Sequence, residues 1–191
     1  MNRQQTLEGK CNVGASVYIR LITEADTDLI VRWRNLEHVR NHFIYRETFT
    51  RQIHENWLKT KVQTGQVVQF IICLTATDQP IGSVYLRDIN SVHQKAEYGI
   101  FIGEEEALGK GYGTEATKLA VQYGFEQLQL HRIMLRVLAD NIAAQKSYEK
   151  AGFCKEAYLK EDVKLDGIYR DVILMAVINP YGFGMEKCEN E

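Results

Sequence analysis

The 191-residue chain is 45% hydrophobic and 25% charged, enough for one sizeable core, and no shift in composition marks a second domain. Lys plus Arg number 23 against 25 Asp plus Glu, and the resulting net charge of -2 leaves no basic excess of the kind that draws proteins to nucleic acid. No apolar run approaches the ~18 residues of a bilayer span and the polar N-terminus lacks a signal-peptide block, so the expectation is a cytoplasmic protein without membrane or nucleic-acid partners.

In chain order, residues 1–16 are expected to form a flexible lead-in, 17–180 a single domain and 181–191 a C-terminal tail. Val17–Ile22 predicts a strand. Thr23-Glu-Ala-Asp26 fits a helix start, with Leu29, Ile30, Trp33 and Leu36 following at helical spacing. A second helix is predicted from Thr50, with Ile53, Trp57, Leu58 and Val62 on its apolar face. Val67–Ala76, Ile81–Ile89 and Ala96–Gly103 read as an antiparallel meander, since gaps this short cannot hold a crossover.

A helix opens after Gly109-Lys-Gly-Tyr-Gly113, burying Ala116, Leu119, Ala120, Tyr123 and Leu128. Arg132–Val137 alternates between two faces as a strand, Asn141–Ala151 is a short helix stopped by Gly152, and Phe153–Ile178 is a hairpin turning at Asp166-Gly167. The four cysteines (Cys11, Cys73, Cys154 and Cys188) lie far apart, with neither a C-x-x-C pair nor His at ligand spacing. They are expected to be free thiols, and no metal site is expected.

Gly109, Gly111 and Gly113 allow the backbone to turn tightly and present its N–H groups at a helix start, where the dipole end is positive: a site for phosphate or pyrophosphate. A Walker A loop fails here, because five residues separate Gly103 from Gly109 and Gly111 follows Lys110. A G-x-G-x-x-A dinucleotide fingerprint does match Gly111, Gly113 and Ala116, with Asp140 after the next strand. That reading asks for a parallel sheet, whereas the preceding strands form a meander. A plain solvent-exposed turn is the third reading.

The loop resembles the acyl-CoA pyrophosphate motif of the GNAT superfamily of N-acetyltransferases. Gly111 and Gly113 supply its glycines, while Leu108 stands where the general pattern has Arg or Gln. Gly109–Gly113 is similar to the RimJ/RimL-like branch, with Ala107 and Leu108 in place of an aromatic pair. Independently, Ala139-Asp-Asn141 through Ser147-Tyr-Glu-Lys-Ala-Gly-Phe153 resembles the family's second CoA-side motif, and the likeness extends over about Val17–Ile178.

The resemblance implies an α/β fold of the GNAT type: a mixed sheet of about seven strands, antiparallel in its first half, a splayed parallel pair in the middle, and about four helices. It implies acetyl-CoA as co-substrate, held between Ala96–Gly103 and Arg132–Asp140. The cofactor contacts would come from Phe101, Ile102, Leu108, Gly109, Lys110, Gly111, Tyr112, Gly113, Thr114, Asn141 and Ser147. Tyr148 matches the family's usual general acid for the thiolate, and Glu97 is the candidate base acting through water.

The acceptor is expected to be an amine on a small molecule or peptide. The family builds that site from the first two helices, which offers Trp33, Arg34, Asn35, His42 and His54 as substrate-binding candidates. Arg34, Arg40 and Arg46 suit an anionic partner. The Trp-Arg-Asn stretch and His54-x-x-Trp57 resemble enzymes acetylating nucleotide-linked amino sugars. A peptide N-terminus, other small amines including aminoglycosides, and a non-catalytic CoA sensor stay open as alternatives. So does a homodimer, a form common among relatives of this fold.

Overall fold

The computed structural model describes residues 10–44 and 46–180. Eight strands form one sheet in the order β1-β2-β3-β4-β5-β6-β8-β7. They are β1 (Lys10–Val13), β2 (Val17–Leu21), β3 (Val67–Leu74), β4 (Pro80–Asn90), β5 (Lys95–Ile102), β6 (Arg132–Leu138), β7 (Cys154–Leu165) and β8 (Ile168–Ile178). The helices are α1 (Thr27–Asn35), α2 (Glu37–Arg40), α3 (Arg51–Trp57), α4 (Tyr112–Glu126) and α5 (Ile142–Lys150). No helix among the described residues is long and apolar enough to cross a membrane.

The expected lead-in is corrected at its end. Residues 10–13 form β1, antiparallel to β2, with the Asn12 side-chain amide donating to the Leu119 carbonyl of α4 at 2.9 Å. Four residues are too few to show a strand period in sequence. Residues 1–9, Tyr45 and the predicted tail at 181–191 lie outside the described residues.

Both sheet faces are covered, which is why β3 reads as an apolar run interrupted only by Gln69. Val17, Ile19, Phe70, Ile72, Val84 and Leu86 point to one face and pack beneath Ala116, Leu119 and Ala120 of α4. The alternate residues Tyr18, Ile71, Cys73 and Phe101 point to the other face, against Ile30 and Trp33 of α1 and Leu58 beyond α3. The α1 start is tied down as its sequence suggests, since Asp26 accepts from the Thr23 N–H at 2.8 Å and from the Arg20 guanidinium at 2.7 and 2.9 Å. At α3 the predicted face rotates. Ile53 is 43% exposed, and His54 takes the buried position instead.

The parallel pair β5–β6 is short. Only Lys95↔Arg132, Ala96↔Ile133 and Glu97↔Met134 are in register. Beyond that rung β5 stays with β4 as far as Ile102, and β6 stays with β8 as far as Leu138. The sheet therefore forks, leaving the facing edges of Tyr98–Ile102 and Leu135–Leu138 without each other's hydrogen bonds.

Candidate active site

A cavity of about 500 Å³ occupies the fork. Unpaired backbone N–H and C=O groups on two diverging strands make an amide-binding slot, because each seeks a partner. Its far end is the glycine loop. Gly109 and Gly111 have φ of +73° and +83°, conformations that L side chains rarely adopt, and Gly111 is the N-cap of α4. The first N–H groups of α4 have no carbonyl one turn back to accept them, so they face the cavity end as an anion site. The Thr114 hydroxyl bonds the Ser147 hydroxyl at 2.7 Å, joining the start of α4 to the second half of α5 beside that site. Asn141 caps α5, its Oδ1 accepting from the Ala144 N–H at 3.1 Å, which leaves the amide hydrogens for a ligand.

Tyr148 lines the cavity from α5, with its ring edge-on to Tyr98 at 6.0 Å and 6.1 Å from Phe153. Burial, reinforced by the neighbouring Tyr85, pushes the Tyr148 phenol far above its ordinary value, so it keeps its proton throughout the neutral range. Tyr98, one residue into the fork, is buried too and bonds the Thr117 hydroxyl at 2.7 Å.

The opposite wall comes from strand positions. Arg87 of β4 stands directly across from Glu97 of β5, and Tyr85 directly across from Gly99. A Cβ on Gly99 would meet the Tyr85 ring at 2.3 Å, so only glycine lets that ring lie there. Glu97 Oε1 accepts from Arg87 Nη2 at 2.6 Å and lies 3.6 Å from Arg136 Nε on β6. His38, His42 and Phe43, from α2 and the segment after it, close the wall.

Of the residues expected to serve, the cavity brings together Tyr148, Glu97, His42, Asn141 and Ser147, and the loop residues Leu108, Gly109, Gly111, Tyr112, Gly113 and Thr114. Phe101 and Ile102 also border it. The Phe101 side chain, however, turns into the core against Trp33 and Phe43, so its backbone is the part available to a ligand. Lys110 is exposed and does not line the cavity.

The acceptor candidates need correction. Trp33 is fully buried, its indole N–H donating to Glu104 at 2.9 Å. Asn35 braces the chain at Phe49, donating to its carbonyl at 2.7 Å and accepting from its N–H at 2.9 Å. His54 is buried beside the Thr27 hydroxyl at 3.1 Å, and burial lowers its pKa. Arg34 lies flat on Phe43, 3.5 Å from the ring centre, and does not line the cavity. Of the other arginines, Arg46 is engaged by Asp166 at 2.5 Å. Sequence reasoning missed Tyr85, Arg87 and Arg136; alternation along β6 was the only signal for Arg136, and a register shift in β4 hid Arg87.

A slot between splayed strands, an anion site at a helix start and a protonated tyrosine between them define an acyl-CoA-dependent transferase. The acetyltransferase (GNAT) domain family matches residues 16–154, and the chain belongs to it. It is an N-acetyltransferase using acetyl-CoA. It is 30% identical over 177 residues to a probable N-acetyltransferase of Bacillus subtilis (YjcK), covering 87% of this chain and 96% of that one. To a spermidine N(1)-acetyltransferase of Vibrio cholerae it is 34% identical over 132 residues, 69% of this chain and 70% of the relative. The crystal structure of a Vibrio cholerae spermidine N-acetyltransferase in complex with CoA and spermine superposes with a TM-score of 0.79 at 27% identity, over 85% of this chain and 95% of that one.

Proposed function

We propose that the chain acetylates a primary amine of a small molecule by direct attack, with the acceptor entering on the Tyr85–Arg87–Glu97 side of the fork. The observation that carries this reading is the single cavity holding the anion site, the slot and Tyr148 together. A volume of about 500 Å³ that must also take the pantetheine arm favours a short amine over a nucleotide-linked sugar. The spermidine N-acetyltransferases among the relatives support the same class of acceptor.

Acetyl-CoA, when bound, supplies the activated thioester. The residues then divide the work. The glycine loop and α4 start hold the pyrophosphate, and Asn141 and the β5 and β6 edges hold the pantetheine amides. A backbone N–H near Phe101 polarises the carbonyl. Tyr148, held neutral by burial, donates a proton to the departing sulfur. Glu97, expected as the base, is better read as the anion that holds Arg87 and Arg136 in place, since its Oε1 is already engaged. On this reading the amine loses its proton to water.

The match of Gly109–Gly113 supports a place in the RimJ/RimL-like branch, and the free thiols Cys11, Cys73 and Cys154 suit the cytoplasm. The test is thiol release from acetyl-CoA with a panel of small amines, amino-sugar nucleotides and N-terminal peptides. Small amines should turn over, and Tyr148→Phe should lower kcat by ~10²–10³. Turnover confined to peptides or amino-sugar nucleotides would overturn the acceptor reading. An unimpaired Tyr148→Phe would remove its acid role.

A further inference from the structure

The acceptor wall carries an unbalanced charge. Arg87, Glu97 and Arg136 share one sheet face. Arg87 and Glu97 are cross-strand partners, Glu97 pairs with Met134 on the last parallel rung, and Arg136 lies two residues beyond Met134 on the same side. All three side chains are largely withdrawn from solvent, at 21%, 18% and 27% exposure. Arg87 also has the exposed Asp88 at 3.7 Å, but at the cavity the Glu97 carboxylate serves both guanidiniums. It takes its short hydrogen bond from Arg87 at 2.6 Å and stands 3.6 Å from Arg136 Nε, beyond hydrogen-bond reach.

Arg136 is the less engaged arginine of the two. Among the described residues its terminal nitrogens make no hydrogen bond, and it lines the cavity. Among the described residues lining the cavity, Glu97 is also the single acid. A second ammonium on the acceptor would therefore meet two guanidiniums around one acid, Glu97, whose Oε1 Arg87 already engages. A planar guanidinium fork with donors to spare instead suits a carboxylate, bound through two parallel N–H···O bonds.

We propose that the acceptor is an amine bearing a carboxylate, and that Arg136 selects it over diamines and polyamines of the same reach. This rests on the small-amine reading above and narrows it. The chain would then differ in acceptor charge from its spermidine-acetylating relatives, although it shares their fold. The chemistry stays balanced: the amine nitrogen forms the amide bond, the carbon–sulfur bond breaks, and CoA leaves as the thiol. The carboxylate takes no part beyond docking.

The experiment compares ω-aminoalkanoates, α,ω-diamines and simple alkylamines of equal chain length by thiol release. The aminoalkanoate should exceed its matched diamine in kcat/KM by about tenfold, the worth of one charge-assisted hydrogen bond, with the difference lying in KM. Arg136→Gln should close that gap by raising the aminoalkanoate KM, and Arg136→Lys should keep part of it. In the wild type the preference should shrink as salt is added, a reading that needs no variant. Preference for the diamine, or a ratio unmoved by Arg136→Gln, overturns the proposal while the small-amine reading stands. Turnover of none of the three, with acetyl-CoA bound, removes both.

Discussion

Glu97→Gln separates two roles that the position alone permits. The substitution keeps the shape and an acceptor oxygen for Arg87, and removes only the charge. Breaking a fully buried ion pair from one side costs ~3–5 kcal/mol. Here the pair is about one-fifth exposed and Gln retains one hydrogen bond, so a loss of about 2 kcal/mol is expected, equivalent to about 4–8 °C in Tm for a chain of this size. If Glu97 only positions the arginines, kcat falls by less than about tenfold, and kcat/KM climbs with pH toward the amine's own pKa in wild type and variant alike. Thermal melts and initial-rate pH profiles on both proteins measure this. An unchanged Tm together with a kcat loss of ~10²–10⁴ and a vanished acidic limb would refute the positioning argument and make Glu97 the base.

Gly99→Ala places a methyl 2.3 Å from the Tyr85 ring, so that wall must shift. Acceptor KM should rise and stability fall by ~1–3 kcal/mol, while calorimetry shows acetyl-CoA affinity largely kept. Gly111→Ala meets nothing within 4 Å, so its cost is the backbone alone: ~1–2 kcal/mol at φ +83°, read as a loss of acetyl-CoA affinity if the loop relaxes out of its anion-binding shape. Burial raises both Tyr98 and Tyr148, so the folded chain resists releasing protons that the unfolded chain gives up above about 10. Their contribution is complete below that pH and drains away above it. Denaturant midpoints should therefore fall from about pH 10 upward, and less steeply in Tyr148→Phe.

What sequence could show of this site is what local geometry dictates. Gly109 and Gly111 are legible because a left-handed turn before a helix asks for glycine whatever surrounds it. Asn141 and Tyr148 are legible because a cap and a residue seven positions on belong to one short helix. The acceptor side was misread because it depends on which way α1 and α3 face. Trp33, Asn35 and His54 have the residue types of a polar aromatic site. Packing against Gly103 and Thr27 takes Trp33 and His54 inside instead, and the exposed Asn35 spends its amide bracing Phe49.

Arg87 was hidden for a different reason, which also explains how the charged wall is made. Near the hairpin turn Asn90 pairs with Lys95, and regular pairing from that rung would set Asp88 opposite Glu97. Two acids would then face each other, and Arg87 would point to the other side of the sheet. The register instead slips by one residue between Asn90 and Arg87, where Asp88 adopts φ +52°, a conformation Asp tolerates better than most residues. That bulge turns Asp88 outward, 79% exposed, and swings Arg87 across from Glu97. The charge relation that positions Arg136 at the fork thus follows from one extra residue in β4, a feature that alternation cannot reveal and that the register makes plain.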